Sequence, residues 1–132
     1  MPVRCASKRQ KTVETSTYGS EMVATRIATE LIMEYRCNLW MLGVPVEGPV
    51  MLLGDNLSVI LNAAVPLSML KKKHLACNYH QVREAVAAKI MMFCHINSKD
   101  NVSNILTKPL PLVQHMVPAK KLVFCRPVDF SG

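Results

Sequence analysis

The sequence lacks the features of a secreted, membrane-spanning or zinc-binding protein. Its five Cys form no Cys-X-X-Cys pair, and their spacing fits no common zinc template. No stretch reaches the roughly 18 uninterrupted apolar residues of a membrane helix, and the first residues, MPVRCASKRQK, lack the apolar centre of a signal peptide. We therefore expect reduced thiols and a cytoplasmic or nuclear protein that is not secreted.

Aromatic residues are also scarce, at 5% of the 132 residues, whereas half of the residues are hydrophobic and nine are Met. A chain of this length with this apolar content can form the core of one domain or of part of one. Because Met is unbranched and flexible, the expected core is aliphatic and rich in thioethers.

Acidic residues are outnumbered, with 9 Asp and Glu against 16 Lys and Arg, and the net charge is +7. A basic surface favours polyanionic partners, nucleic acid first. A basic surface that is merely solvated explains the same charge, so composition alone leaves both interpretations open.

Helical periodicity is clearest over residues 17–42. Ser16 and its Thr neighbours are suitable N-cap residues, and Gly43 followed by Pro45 predicts the end of the helix. Apolar residues recur every three or four positions and predict one buried face, made of Val23, Ile27, Leu31, Tyr35, Leu39 and Leu42.

The remaining pattern alternates between strands and helices, which predicts an α/β fold in which helices pack on a mixed sheet. The apolar run in residues 49–56 is typical of a strand covered on both faces. Residues from 112 onward show no convincing pattern. The other predicted elements are a weak strand at 3–14, helices at 57–64, 76–89 and 101–108, and a strand at 90–96.

Two carboxylates stand at the ends of predicted elements. Glu21 begins the long helix, and Asp55 ends an apolar strand. Carboxylates in such positions can bind magnesium together with phosphate and water, and two such ions can act on one phosphodiester. The ordinary alternatives are an interaction with the helix dipole for Glu21 and an N-cap role for Asp55.

Basic and thiol side chains in the second half of the chain are weaker candidates. Lys71, Lys72, Lys73 and His74 form a basic run that is typical of a solvated surface, but such a run beside a carboxylate site can contact phosphate. Cys77 lies three residues before His80, and no further metal ligands at a suitable spacing accompany this pair.

Four segments carry motifs in a recognisable order. Residues 3–30 combine a strand containing Ser-Lys-Arg-Gln with a Ser/Thr-rich turn and a helical Glu, and residues 54–62 read GDNLSVILN. Residues 71–84 read KKKHLACNYHQVRE, and residues 101–111 read NVSNILTKPLP. Together they resemble the ribonuclease H domain of copia-type LTR retrotransposon Pol polyproteins, where that domain follows the reverse transcriptase.

The resemblance implies a ribonuclease H-like fold over residues 1–111, followed by an irregular tail at 112–132. It implies that Glu21 and Asp55 are catalytic carboxylates that bind Mg²⁺ or Mn²⁺. It also implies an RNA/DNA hybrid or other nucleic acid as partner, with no membrane involved. The residues expected to contact that nucleic acid are Lys71, Lys72, Lys73, His74 and Arg83.

Two departures from the family pattern bear on activity. Asn104 stands where the family has its last catalytic Asp. The family's first catalytic Asp lies on a strand upstream of the first matched motif, so the resemblance implies a domain that lacks its first strands. We therefore expect a fragment without ribonuclease activity, prone to self-association through an exposed sheet edge. The alternatives are a non-catalytic nucleic-acid-binding remnant and a pseudogene product.

Overall fold

The computed structural model describes residue 10, residues 16–64 and residues 75–122. These residues belong to two compact units, one formed by residues 10–95 and one that includes residues 96–122. The predicted domain boundary after residue 111 stays a prediction. The strand predicted at 3–14 and the basic run at 71–74 lie outside the described residues, apart from Gln10.

The first unit contains helices packed on two strands, which confirms the predicted α/β class. This arrangement is consistent with a ribonuclease H-like fold. The elements in chain order are helix α1 (Thr17–Met41), strand β1 (Val50–Gly54), helix α2 (Leu57–Ala64), helix α3 (Ala76–Ala87) and strand β2 (Met91–His95).

The two strands pair in parallel, with a register that runs from Val50 opposite Met91 to Gly54 opposite His95. A parallel pair needs a crossover connection, and α2 and α3 lie in that connection. The register brings the carboxyl ends of both strands to the same edge of the sheet.

The core lies between the helices and one face of this sheet. Its fully buried side chains include Met22 of α1, Val59 of α2, Val82 of α3 and Met91 of β2. Two Met among them agree with the predicted thioether-rich core. On the strands, Met51, Leu53 and Met92 are exposed. The prediction of a strand covered on both faces is therefore wrong for β1 in the described part of the chain.

Helix α1 starts as predicted, but its buried face agrees only in part with the predicted one. The Ser16 hydroxyl accepts a hydrogen bond from the Gly19 N–H at 3.2 Å, which satisfies one of the unpaired donors of the first turn. Of the predicted apolar face, Val23 is buried as expected, but Ile27 is 40% exposed and Leu42 is 76% exposed. The residues that the helix buries are small or polar as well as apolar: Gly19, Met22, Val23, Thr25 and Thr29.

Helices α1 and α3 end in the same hydrogen-bonding motif. After α1, the Val44 N–H donates to the Leu39 carbonyl at 2.9 Å, and the residue between helix and loop is Gly43 with φ +75°. After α3, the Ile90 N–H donates to the Ala85 carbonyl at 3.0 Å. The equivalent left-handed position there is Lys89, with φ 55°, where glycine is the usual residue.

The second unit contains helices α4 (Asn104–Thr107) and α5 (Leu112–Leu122) in its described part. The first confirms the helix predicted at 101–108. The second corrects the prediction of an irregular tail, because residues 112–122 are helical with Pro118 inside the helix. Proline there removes one backbone donor and disfavours helix in the preceding residue. For this reason the helix could not be predicted from the sequence pattern. In the described residues, no helix is both long and apolar enough to cross a membrane.

The left-handed residue after α3 predicts that Lys89→Gly stabilises the chain. A residue with a Cβ is strained at this φ, and removing the strain should raise the free energy of unfolding by about 1 kcal/mol. Urea denaturation of both proteins measures this difference. The reverse exchange at the equivalent position, Gly43→Lys, is the matched control and should lower stability by a similar amount. Equal stability of Lys89→Gly and the unmutated chain would contradict the prediction.

The end of β1 predicts that Gly54→Ala destabilises the chain. A Cβ at this position would lie 2.7 Å from Cε2 and 3.0 Å from Cζ of Phe93, a ring that is 9% exposed. Moving a packed ring should cost about 1–3 kcal/mol. Thermal unfolding measures the loss, and Phe93→Leu in the Gly54→Ala background should recover part of it. Additive losses in the double variant would argue against this contact.

Candidate functional site

Glu21 lies in the second turn of α1, as the fifth residue of the helix, and is half-buried. No acidic residue occupies the first turn. The favourable effect of a helix N-terminus on a negative charge falls off within that first turn. The helix dipole is therefore a weak explanation for Glu21.

Asp55 follows β1 directly and is half-buried. The N-cap of α2 is its neighbour Asn56, whose Oδ1 accepts hydrogen bonds from the Ser58 N–H at 3.0 Å and the Val59 N–H at 3.4 Å. The ordinary capping role is thus filled by Asn56, and it does not account for an acidic residue at position 55.

Contacts along α1 show that this helix runs antiparallel to β1. Near its C-terminal end, the Arg36 guanidinium donates to the carbonyls of Gly48 at 2.7 Å and Val46 at 3.1 Å, just before β1 begins. Near its N-terminal end, Met22 shares the buried cluster with Val59 of α2, the helix that begins just after Asp55.

A further contact gives the position of Glu21 along the direction of the strands. The Thr29 hydroxyl contacts the Met91 sulfur at 3.3 Å, and Met91 pairs with Val50 at the start of β1. Glu21 lies eight residues before Thr29, which is about 12 Å along the helix. Gly54 lies four residues after Val50, which is about 13 Å along the strand. Glu21 and Asp55 therefore belong to the same end of the sheet, where the strands reach their carboxyl ends.

Two tyrosines accompany the start of α1. Tyr18, one turn before Glu21, packs against the core cluster that contains Tyr79 of α3. Burial, together with Tyr79, raises the pKa of the Tyr18 hydroxyl above its ordinary value of 10.0. Sequence reasoning did not include Tyr18 in the site, although its spacing of three residues from Glu21 places both on neighbouring positions of one helix face.

Arg83 is the one predicted nucleic-acid contact that falls among the described residues. Its guanidinium donates a hydrogen bond to the Tyr79 hydroxyl, and its central carbon lies 5.1 Å from the centre of the Tyr79 ring. The side chain is half-buried. These contacts hold Arg83 against its own helix, so its role toward nucleic acid stays a prediction.

Asn104 is the first residue of α4 and belongs to the second unit. Its Nδ2 donates to the Ser98 carbonyl, and its backbone N–H donates to the Asn101 carbonyl at 3.1 Å. The preceding turn is also held by Asn97, whose Oδ1 accepts from the Lys99 N–H at 3.0 Å. The amide at position 104 is thus part of the local turn.

The oxygen ligands at the end of the sheet suit a hard cation. Magnesium is commonly bound by one or two carboxylates together with phosphate and water, and Glu21 and Asp55 supply two. In the described ranges, no group of three or more His, Cys, Asp or Glu side chains could hold a metal ion. The binding of a metal ion by Glu21 and Asp55 therefore stays a prediction.

The relatives found by comparison with known proteins include two from Arabidopsis thaliana. The chain is 28% identical over 123 residues to the retrovirus-related Pol polyprotein from transposon RE2, and 30% identical over 111 residues to that from transposon RE1. It resembles a small piece of a transposon Pol polyprotein. The matches cover 92% and 83% of this chain but only 8% and 7% of the two Pol polyproteins. No protein-family model and no solved structure matches the chain.

The turn before α4 predicts that Asn104→Asp weakens the second unit. A carboxylate cannot donate to the Ser98 carbonyl and would instead face it with like partial charge. Loss of this hydrogen bond should cost about 1–2 kcal/mol of local stability. Hydrogen exchange of the amides in residues 97–107 at neutral pH measures the change. Unchanged protection in the Asp variant would show that the contact with Ser98 contributes nothing.

Proposed function

We propose that this chain corresponds to part of a retrotransposon ribonuclease H domain and that it binds RNA/DNA hybrids without cleaving them. In this proposal Glu21 and Asp55 hold one Mg²⁺ or Mn²⁺ ion, and the basic surface contacts the phosphates. The similarity to Pol polyproteins supports the origin. The site is supported by the half-buried state of both carboxylates and by the contact between Thr29 and Met91, from which we infer that they lie at the same end of the sheet.

The two carboxylates and the basic surface have different roles in this proposal. Glu21 and Asp55 would hold the cation through their carboxylate oxygens. When bound, the cation neutralises phosphate charge and orients a phosphodiester. The net charge of +7 adds a long-range attraction for the nucleic-acid backbone that weakens as salt concentration rises.

The absence of cleavage follows from the substitution at position 104. Where the family has a carboxylate, Asn104 offers a neutral amide whose Nδ2 is already engaged with Ser98. Removing one electrostatic contribution at an active site typically costs about 3–4 kcal/mol, or roughly two to three orders of magnitude in rate. We therefore expect turnover to fall by at least this factor, so that no product accumulates during a binding measurement.

The competing function is binding by charge alone, without a metal ion. The excess of Lys and Arg favours it, since such binding needs only a basic surface. The two functions differ in how binding responds to substitution of the carboxylates. If charge alone is responsible, these substitutions should change binding only by the gain expected when any negative charge is removed from a basic protein.

The test measures binding and cleavage of a fluorescently labelled RNA/DNA hybrid by the full chain, in EDTA and in Mn²⁺. We expect binding that falls steeply with salt, that is stronger in Mn²⁺, and that gives no product. Glu21→Gln and Asp55→Asn should lose the gain from Mn²⁺. Glu34→Gln is the matched control, because Glu34 is an exposed carboxylate of the same helix.

Three outcomes would count against the proposal. Cleavage that EDTA abolishes and that disappears in Asp55→Asn would show an active nuclease. An equal gain from Mn²⁺ in all four proteins would favour binding by charge alone. A chain that folds but does not bind the hybrid even at low salt would exclude both functions.

A further inference from the structure

Two buried threonines on α1 form a row of hydrogen bonds that ends at Glu21. The Thr25 hydroxyl donates to the backbone carbonyl of Glu21 at 2.8 Å. The Thr29 hydroxyl donates to the carbonyl of Thr25 at 2.8 Å and also contacts the Met91 sulfur at 3.3 Å. Thr25 is 7% exposed and Thr29 is fully buried. We refer to Thr25 and Thr29 as the hydroxyl row.

The hydroxyl row connects Glu21 to the sheet. Met91 is the first residue of β2 and pairs with Val50. The Thr29 end of the hydroxyl row is therefore in contact with a buried residue of the sheet. At the other end of the row is the carbonyl of Glu21. Its carbon atom is bonded to the Cα that carries the proposed metal-binding side chain. A shift of this carbonyl therefore changes the direction of the Glu21 side chain.

Hydrogen bonds of this kind also alter helix geometry. A Thr hydroxyl that donates to the carbonyl four residues earlier competes with the helical N–H for the same oxygen and often bends the helix. Two consecutive bonds of this type occupy residues 21–29, on the face of α1 that packs toward the sheet. A small bend of α1 at these two hydrogen bonds would move its N-terminal turns relative to the end of β1.

We propose that Thr25 is a positioning residue for Glu21 and that its hydroxyl sets the carboxylate in the direction needed to share a cation with Asp55. This inference rests on the proposed function of the Glu21 and Asp55 pair. Thr25 itself touches neither the cation nor the nucleic acid. Its effect passes through the backbone of Glu21.

Thr25→Val separates positioning from packing. Valine has nearly the shape of threonine and lacks the hydroxyl, so the buried volume is kept while the bond to the Glu21 carbonyl is lost. Thr25→Ser is the rescue variant because it keeps the hydroxyl. Thr107→Val is the remote control, since the Thr107 hydroxyl makes the same type of contact on α4, to the Ser103 carbonyl at 3.5 Å.

The experiment titrates the full chain with Mn²⁺ alone, follows free Mn²⁺ by electron paramagnetic resonance, and records the thermal unfolding midpoint of each variant. Thr25→Val should weaken Mn²⁺ binding about tenfold, the lower end of what groups that orient metal ligands contribute. Its unfolding midpoint should stay near that of the unmutated chain. Thr25→Ser and Thr107→Val should bind Mn²⁺ like the unmutated chain.

The outcomes distinguish this inference from the function on which it rests. If the unmutated chain binds no Mn²⁺, or if Glu21→Gln and Asp55→Asn leave binding unchanged, the proposed function fails and the positioning role fails with it. If binding depends on both carboxylates but Thr25→Val binds as tightly as the unmutated chain, only the positioning role is overturned. A Thr25→Val variant that loses Mn²⁺ binding and thermal stability together, while Thr25→Ser does not recover the binding, also overturns it in favour of a purely structural role.

Discussion

The close approach of α1 to the two-stranded sheet is the constraint on which the rest of the first unit depends. The contact between the Thr29 hydroxyl and the Met91 sulfur fixes the helix at the start of the strands. The contacts of Arg36 with the Gly48 and Val46 carbonyls give the direction of the helix, so its N-terminal end lies near the end of β1. The proximity of Glu21 and Asp55 to the same edge follows from it.

Much of this architecture can be predicted from the sequence, because it depends on local signals. Gly43 ends α1 since it adopts the left-handed conformation after the helix, and Asn56 caps α2 through its own side chain. Such signals depend on a few neighbouring residues. The order of strands and helices in the described part of the first unit was therefore correctly predicted from the sequence. Asp55 follows β1 as expected, Glu21 lies one turn further into α1 than expected, and the role of both carboxylates stays a prediction.

The buried face of α1 could not be predicted in the same way. Apolar periodicity favours Ile27 and Leu42, yet both are exposed, whereas Thr25 and Thr29 are buried. A threonine in a helix can satisfy its hydroxyl with the carbonyl four residues earlier, so its burial leaves no donor unpaired. Sequence patterns score threonine as polar and miss this possibility. Helix α5 was missed for a different reason, since Pro118 interrupts the pattern of a helix that nevertheless forms.

Asn104 shows how the chemistry of an amide suits the start of a short helix. An amide both donates and accepts, whereas an ionised carboxylate only accepts. At the start of α4 the donor is used, because Nδ2 reaches the Ser98 carbonyl. The neutral residue therefore suits the turn better than the acidic residue of the family pattern.

The uncovered side of the sheet also has a consequence for the thermodynamics of unfolding. About half of the surface of Met51, Leu53 and Met92 is already in contact with water in the folded chain, so unfolding newly hydrates only the other half. The heat capacity change of unfolding arises mainly from newly hydrated apolar surface. These side chains contribute less to it than buried ones would, and the stability of the chain should vary less steeply with temperature.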